Sequence, residues 1–178
     1  ALAVVILIIR ELSVGEYAIY ATLYAIVMML RLLTSFGVNS TVLRFIPDLR
    51  VVANNVAAYR LLFAGVALRA AFYAAPVAIA YLFAGDRFVE LLSLDGFEWA
   101  FVLYLVVGFF RISGLFYAGA LESLLWQKQT QYSIAFSNLI KLLGVIGLIY
   151  LEDFSLYNVI LLELSCEVLT MVLMLTTS

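Results

Sequence analysis

The sequence predicts an all-α integral membrane protein, a six-helix transmembrane bundle whose first helix is truncated. Three observations predict it. Hydrophobic residues make up 66% of the chain and charged residues only 12%, and the mean hydropathy of +1.13 lies outside the range of soluble globular domains. Apolar runs long enough to cross about 30 Å of hydrocarbon, at about 1.5 Å per residue, recur along the chain. Short stretches of Gly, Pro, Asn and charged residues punctuate them.

The helices are expected at about 1–9, 17–36, 56–83, 99–126, 132–150 and 154–175. The opening run Ala1 to Ile9 is too short to span and reads as the end of a truncated helix. A signal peptide would show a basic segment before the run and small residues after it, and neither is present. Leu12 to Glu16 forms an interfacial stretch before the second segment. Gly37 breaks that segment, and a short amphipathic piece, Ser40 to Ile46, ends at Pro47, which disfavours helix in the residue before it. Asp48 to Asn55 is then a loop, with Asn54 or Asn55 as N-cap of the third segment. Pro76 should kink that segment, and Gly85 and Asp86 should end it. Asp86 to Glu98 reads as an acidic aqueous loop. Trp99 and Trp126 frame the fourth segment at the two interfaces. Gln127 to Gln131 and Glu152-Asp153 provide the last two connections.

Arg44, Arg50, Arg60 and Lys128 fall on one side of the membrane, whereas Arg10 and Arg87 share the other with nearly all the loop acids. The positive-inside bias makes the first side cytoplasmic, together with the C-terminal end of residues 1–178. The net charge of −2 gives no reason to expect nucleic acid as a partner. With no histidine and a single cysteine, Cys166, no disulfide, zinc site, other metal site or Cys/His catalysis is expected, and no cofactor.

Four cations stand inside apolar runs: Arg31, Arg69, Arg111 and Lys141. A cation at the bilayer centre costs about 2.5–3.5 kcal/mol on insertion scales, so such residues face a bundle interior or a water-filled path. The sixth segment supplies counter-charges, because Glu163 and Glu167 are four residues apart and share a face, which Thr170 extends. Tyr104 and Glu122 share a face with Arg111, and Asn138 lies three residues before Lys141; Tyr104 and Asn138 are candidate cavity-lining residues. Two readings stay open. The cations and acids bind each other as buried interhelical pairs, or four cations against two acids leave a net-positive cleft for an anion, a diphosphate above all. In the cleft reading Arg31, Arg69, Arg111 and Lys141 bind substrate, while Glu163 and Glu167 balance charge or couple an ion. Gly108, Gly114, Ala118, Gly144 and Gly147 offer small surfaces for close helix packing.

The stretch ELSVGEYAIYATLYAIVMMLRLLTSFGVNSTVLRFIPDLR, Glu11 to Arg50, carries the marks VGEYAIY (Val14 to Tyr20) and FGVNSTVLRFIP (Phe36 to Pro47). Arg69 follows in the third helix, and WQKQTQYSIAFSNLIK (Trp126 to Lys141) lies between the fourth and fifth. These marks, in this order over nearly the whole chain, resemble polysaccharide biosynthesis membrane proteins. Those are the O-antigen and exopolysaccharide flippases of the multidrug/oligosaccharidyl-lipid/polysaccharide exporter superfamily.

The resemblance implies two six-helix lobes around a central cavity, of which residues 1–178 would be the N-terminal lobe. It implies an inner (plasma) membrane transporter, not an enzyme, that moves undecaprenyl-diphosphate-linked oligosaccharide by alternating access. The implied partners are the lipid-linked oligosaccharide diphosphate, the lipid bilayer and the missing C-terminal lobe. Arg31, six residues before Gly37, resembles a cavity arginine of the related lipid II flippase. A drug/cation antiporter of the same superfamily is the alternative, and would be expected to have an acid-dominated cavity. A membrane-embedded glycan ligase or lipid-phosphate enzyme would need an acid/base or metal constellation that the spans lack.

Overall fold

The computed structural model describes residues 2–35, 37–51, 55–91 and 96–176. Among them are seven helices: α1 (Leu2–Glu11), α2 (Val14–Ser35), α3 (Val38–Val51), α4 (Asn55–Leu91), α5 (Glu98–Ser123), α6 (Gln127–Tyr150) and α7 (Leu156–Thr176). Five are long and apolar enough to cross a membrane: α2, α4 over Val56–Ala78, α5, α6 and α7. The chain is thus an all-α, multi-pass membrane protein. Phe36, Asn54 and Asp95 lie outside the described residues.

Several connections differ from expectation, each for a local reason. Ser13-Val14-Gly15-Glu16 is a capping box rather than an interfacial loop. The Glu16 amide donates to Ser13 Oγ at 3.3 Å, and the Ser13 amide donates to Glu16 Oε2 at 3.2 Å. Two backbone donors at the helix start are thereby satisfied, and α2 starts at Val14 instead of Tyr17. Gly37 does separate α2 from α3, at φ +74°, a left-handed conformation that suits glycine.

Pro47 does not end α3, which runs to Val51. Ile46, 1% exposed, packs with Phe116 and Ala120 of α5, and that burial holds the helix across the proline. Nor does Gly85 stop α4, which continues through Pro76 to Leu91. A lone glycine costs a helix only about 1 kcal/mol relative to alanine, and Arg87 to Leu91 contains no further breaker. The connection after α5 is not the polar run Gln127 to Gln131. It is Leu124-Leu125-Trp126, with Leu125 at φ +65° and the Leu121 carbonyl accepting from the amides of Leu124 and Trp126. The polar run begins α6, with Thr130 buried. Glu152, at φ +56°, turns the chain from α6 toward α7, where the Ser155 hydroxyl caps the helix by accepting from the Asn158 amide at 3.3 Å.

Helix α5 is the hub, packing against α2, α3, α4, α6 and α7. Its Gly108 permits a close approach of neighbouring side chains. A methyl added there would stand 2.6 Å from the Tyr73 hydroxyl of α4 and 2.7 Å from a Val27 methyl of α2. The Tyr73 hydroxyl uses this proximity to donate to the Leu105 carbonyl at 2.7 Å. Gly144 serves α6 and α7 in the same way, with Leu162 filling the space of the absent side chain. The core around these contacts includes Leu23, Val27, Tyr73, Tyr104, Val107 and Val145. By contrast, Phe63, Phe72, Trp99 and Tyr132 are exposed, as expected of side chains that meet lipid or its interface.

Candidate functional site: a charged cavity between the helices

A cavity of about 360 Å³ lies between α1, α2, α5, α6 and α7. The fold positions polar groups on it through helical spacing. On α2, Tyr20, Tyr24, Met28 and Arg31 follow one another at intervals of four, four and three, and all face the cavity. On α6, Ser137 and Lys141 are one turn apart. On α7, Glu163, Cys166, Glu167 and Thr170 form one stripe.

At the centre of the wall is Glu163, only 2% exposed. Its Oε1 accepts from the Tyr20 hydroxyl at 2.8 Å and from the Lys141 ammonium, and its Oε2 accepts from Arg111 Nη2 at 3.1 Å. Arg111 Nε donates to Glu167 Oε1 at 2.7 Å, and its guanidinium lies 5.9 Å from the centre of the Tyr24 ring. One carboxylate therefore gathers donors from α2, α5 and α6, and the arginine reaches both acids of α7. Two cations face two anions, so the network is neutral. In a low-dielectric interior such charges persist only with partners and hydrogen bonds of this kind.

The two remaining cations are placed differently. Arg31 is exposed on the cavity wall and makes no ion pair among the described residues. Arg69 is 4% exposed and does not line the cavity. It is inserted between α4 and α5, where its Nη1 donates to the Ile112 carbonyl at 3.3 Å and its guanidinium stands 5.1 Å from the Phe116 ring centre. Its Nε is buried and has no hydrogen-bond partner among the described residues. The four predicted cations therefore do not share one surface. Three line the cavity, two of them paired, and Arg69 stands on another side of α5.

Asn138 lines the cavity, as expected of a residue on the Lys141 face. Tyr104 does not. It sits behind the wall, 1% exposed, with its ring edge-on to Tyr20 at 5.7 Å and its hydroxyl making no hydrogen bond of ordinary geometry among the described residues. Glu122 takes no part in the network and accepts from Gln131 Nε2 at 3.1 Å. The sequence reading missed Tyr20, Tyr24, Ser137 and Cys166 as wall residues. The i, i+4 spacing of Tyr20, Tyr24 and Met28 leading to Arg31 was the signal that could have found the α2 members.

Chemically, the site can hold an anion against Arg31 in a setting where the nearby charges cancel. Compared with family models, with curated proteins and with solved structures, the chain matches none of them.

Proposed function

We propose that this chain is part of a transporter for a lipid-linked oligosaccharide diphosphate, the N-terminal lobe of a flippase that works by alternating access. The observation that carries the reading is an arginine, Arg31, that has no carboxylate partner among the described residues and stands on the wall of an interhelical cavity in a multi-pass membrane protein. A guanidinium in that position is suited to a phosphate, with which it forms paired, charge-assisted hydrogen bonds. The resemblance of Glu11 to Arg50 to polysaccharide flippases supports the same substrate class. In this proposal Arg31 meets the diphosphate directly, and Arg111 and Lys141 line the same cavity beside it.

Glycan export by cells carrying the complete protein tests it. Arg31→Ala should abolish export at unchanged protein level, and Arg31→Lys should restore it only in part, because an ammonium keeps the charge without the planar fork. Normal export by well-expressed Arg31→Ala protein overturns the proposal. The placement in the inner membrane with a cytoplasmic C-terminal end is part of the same reading. Cysteines substituted for Arg50 and Lys128 should react only with reagents that enter the cytoplasm, and one substituted for Asp95 only from outside.

A drug/cation antiporter is the second reading, favoured by the presence of both Glu163 and Glu167 on the cavity wall. It requires Glu167→Gln to abolish cation efflux and Arg31→Gln to leave it intact, the reverse of the order expected for a flippase.

A further inference from the structure

We infer that Lys141 is a movable cation, held by Glu163 while the cavity is empty and transferred to the substrate when an anion enters. The inference rests on the anion-binding reading above and assigns the residue that answers the anion's arrival. It follows from the charge arrangement. A diphosphate carries negative charge on each phosphate, whereas the cavity offers one cation, Arg31, outside the neutral network. A second positive charge has to come from the network itself, and the hydrogen bonds show which member can leave.

Arg111 is fixed by two acids, through Nε to Glu167 and Nη2 to Glu163. Its departure would leave Glu167 without a cationic partner among the described residues, on the wall of an apolar bundle, an expensive outcome. Among the described residues Lys141 has one ion-pair partner, Glu163. When it leaves, Glu163 keeps Arg111 on Oε2 and the Tyr20 hydroxyl on Oε1. Lysine is also suited to the exchange, since its ammonium presents three donors on a flexible four-carbon stem. Lys141 already lines the cavity, with 17% of its side chain exposed.

The exchange has a mechanical result. Among the described residues, two side-chain hydrogen bonds join α6 to other helices: Lys141 to Glu163 and, beside the α5–α6 turn, Gln131 to Glu122. Moving Lys141 onto an anion removes the polar tie between α6 and α7 within the membrane and leaves them joined by apolar packing around Gly144 and Leu162. The anion's arrival would then loosen one helix of the cavity wall. Tyr20 sets the balance, because it shares Oε1 with Lys141 and keeps Glu163 satisfied after the lysine departs.

Calorimetric titration of inorganic pyrophosphate into the purified, detergent-solubilised protein tests the exchange. Glu163→Gln releases Lys141 and should tighten binding on the order of tenfold or more, the scale of a charge-assisted hydrogen bond. Adding Lys141→Gln to that variant should remove the gain. Tyr20→Phe leaves Glu163 more dependent on Lys141 and should weaken binding several-fold. Unchanged or weaker binding by Glu163→Gln overturns the inference, as does a gain that survives in the double variant. Should Glu163→Gln fail to fold, Tyr20→Phe decides, and binding as tight as wild type or tighter overturns it. Wild-type protein that binds no pyrophosphate defeats the anion-binding reading and the exchange together. Wild-type binding that Arg31→Gln abolishes and Glu163→Gln leaves unchanged defeats the exchange alone.

Discussion

Two arginines sit at nearly the same height on two sides of α5 and solve the problem of a buried charge in different ways. Arg111 faces α7 and is matched by two carboxylates, with an aromatic ring beside it. Arg69, on α4, faces α5 and has a backbone carbonyl, a phenyl ring and one nitrogen without a partner among the described residues. The first solution ties helices together and makes every member depend on the others. The second leaves no acid stranded if the arginine is removed. Burial alone therefore does not say how much a membrane arginine matters to the fold; the groups it would leave behind do.

The sharpest way to break this comparison is to replace each arginine by an apolar residue of similar length and follow thermal unfolding of the protein in detergent. Arg111→Met leaves Glu167 unpaired and Glu163 short of one donor, and should destabilise by about 3–5 kcal/mol, the scale of a broken buried pair. Arg69→Met strands no acid and relieves an unsatisfied nitrogen, so its effect should stay within about 1 kcal/mol and can be stabilising. Equal losses for the two variants would erase the distinction.

Next in size are the glycines that set the helix spacing on each side. Gly108→Ala drives a methyl into Tyr73 and Val27 and should cost about 1–3 kcal/mol, the range for overpacking a tight core. Gly144→Ala meets the single side chain of Leu162, at its two methyls and its branch carbon, and that side chain can rotate away, so a smaller loss is expected from the same measurement. Smaller again, Tyr73→Phe removes the hydrogen bond to the Leu105 carbonyl and should cost about 0.5–1.5 kcal/mol. If Tyr73→Phe proves more damaging than Gly108→Ala, the α4 side of the hub is held by polarity and not by packing.

Much of this was legible in the sequence. Hydropathy and length located the five membrane-length helices, and the spacing of Glu163 and Glu167 placed both acids on one stripe of α7. The count set four cations against two acids, and among the described residues Arg111 and Lys141 are the two of the four that make ion pairs. Which cations would pair was not legible, because it depends on how each helix is rotated against its neighbours, a property of the whole bundle. Arg69 shows this. Its depth in an apolar run resembles that of Arg111, yet its side chain enters the α4–α5 interface instead of the cavity. The missed turn at Leu124-Leu125 has a different cause. Turn signals are sought in Gly, Pro and polar residues, and here an apolar pair makes the turn while the polar residues that follow open a helix.

The helix lengths have a consequence for how the bilayer acts on the two sides of the molecule. Helix α4 has 37 residues, but the part of it apolar enough to cross a membrane is Val56–Ala78, 23 residues, about 35 Å at about 1.5 Å per residue, against a hydrocarbon thickness of about 30 Å. Helices α2 and α7, at 22 and 21 residues, are of nearly the same length. A change of lipid chain length therefore reaches α2 and α7, which carry Arg31, Glu163 and Glu167, and α4 with its arginine together. Hydrophobic mismatch acts on both sides of the hub at once.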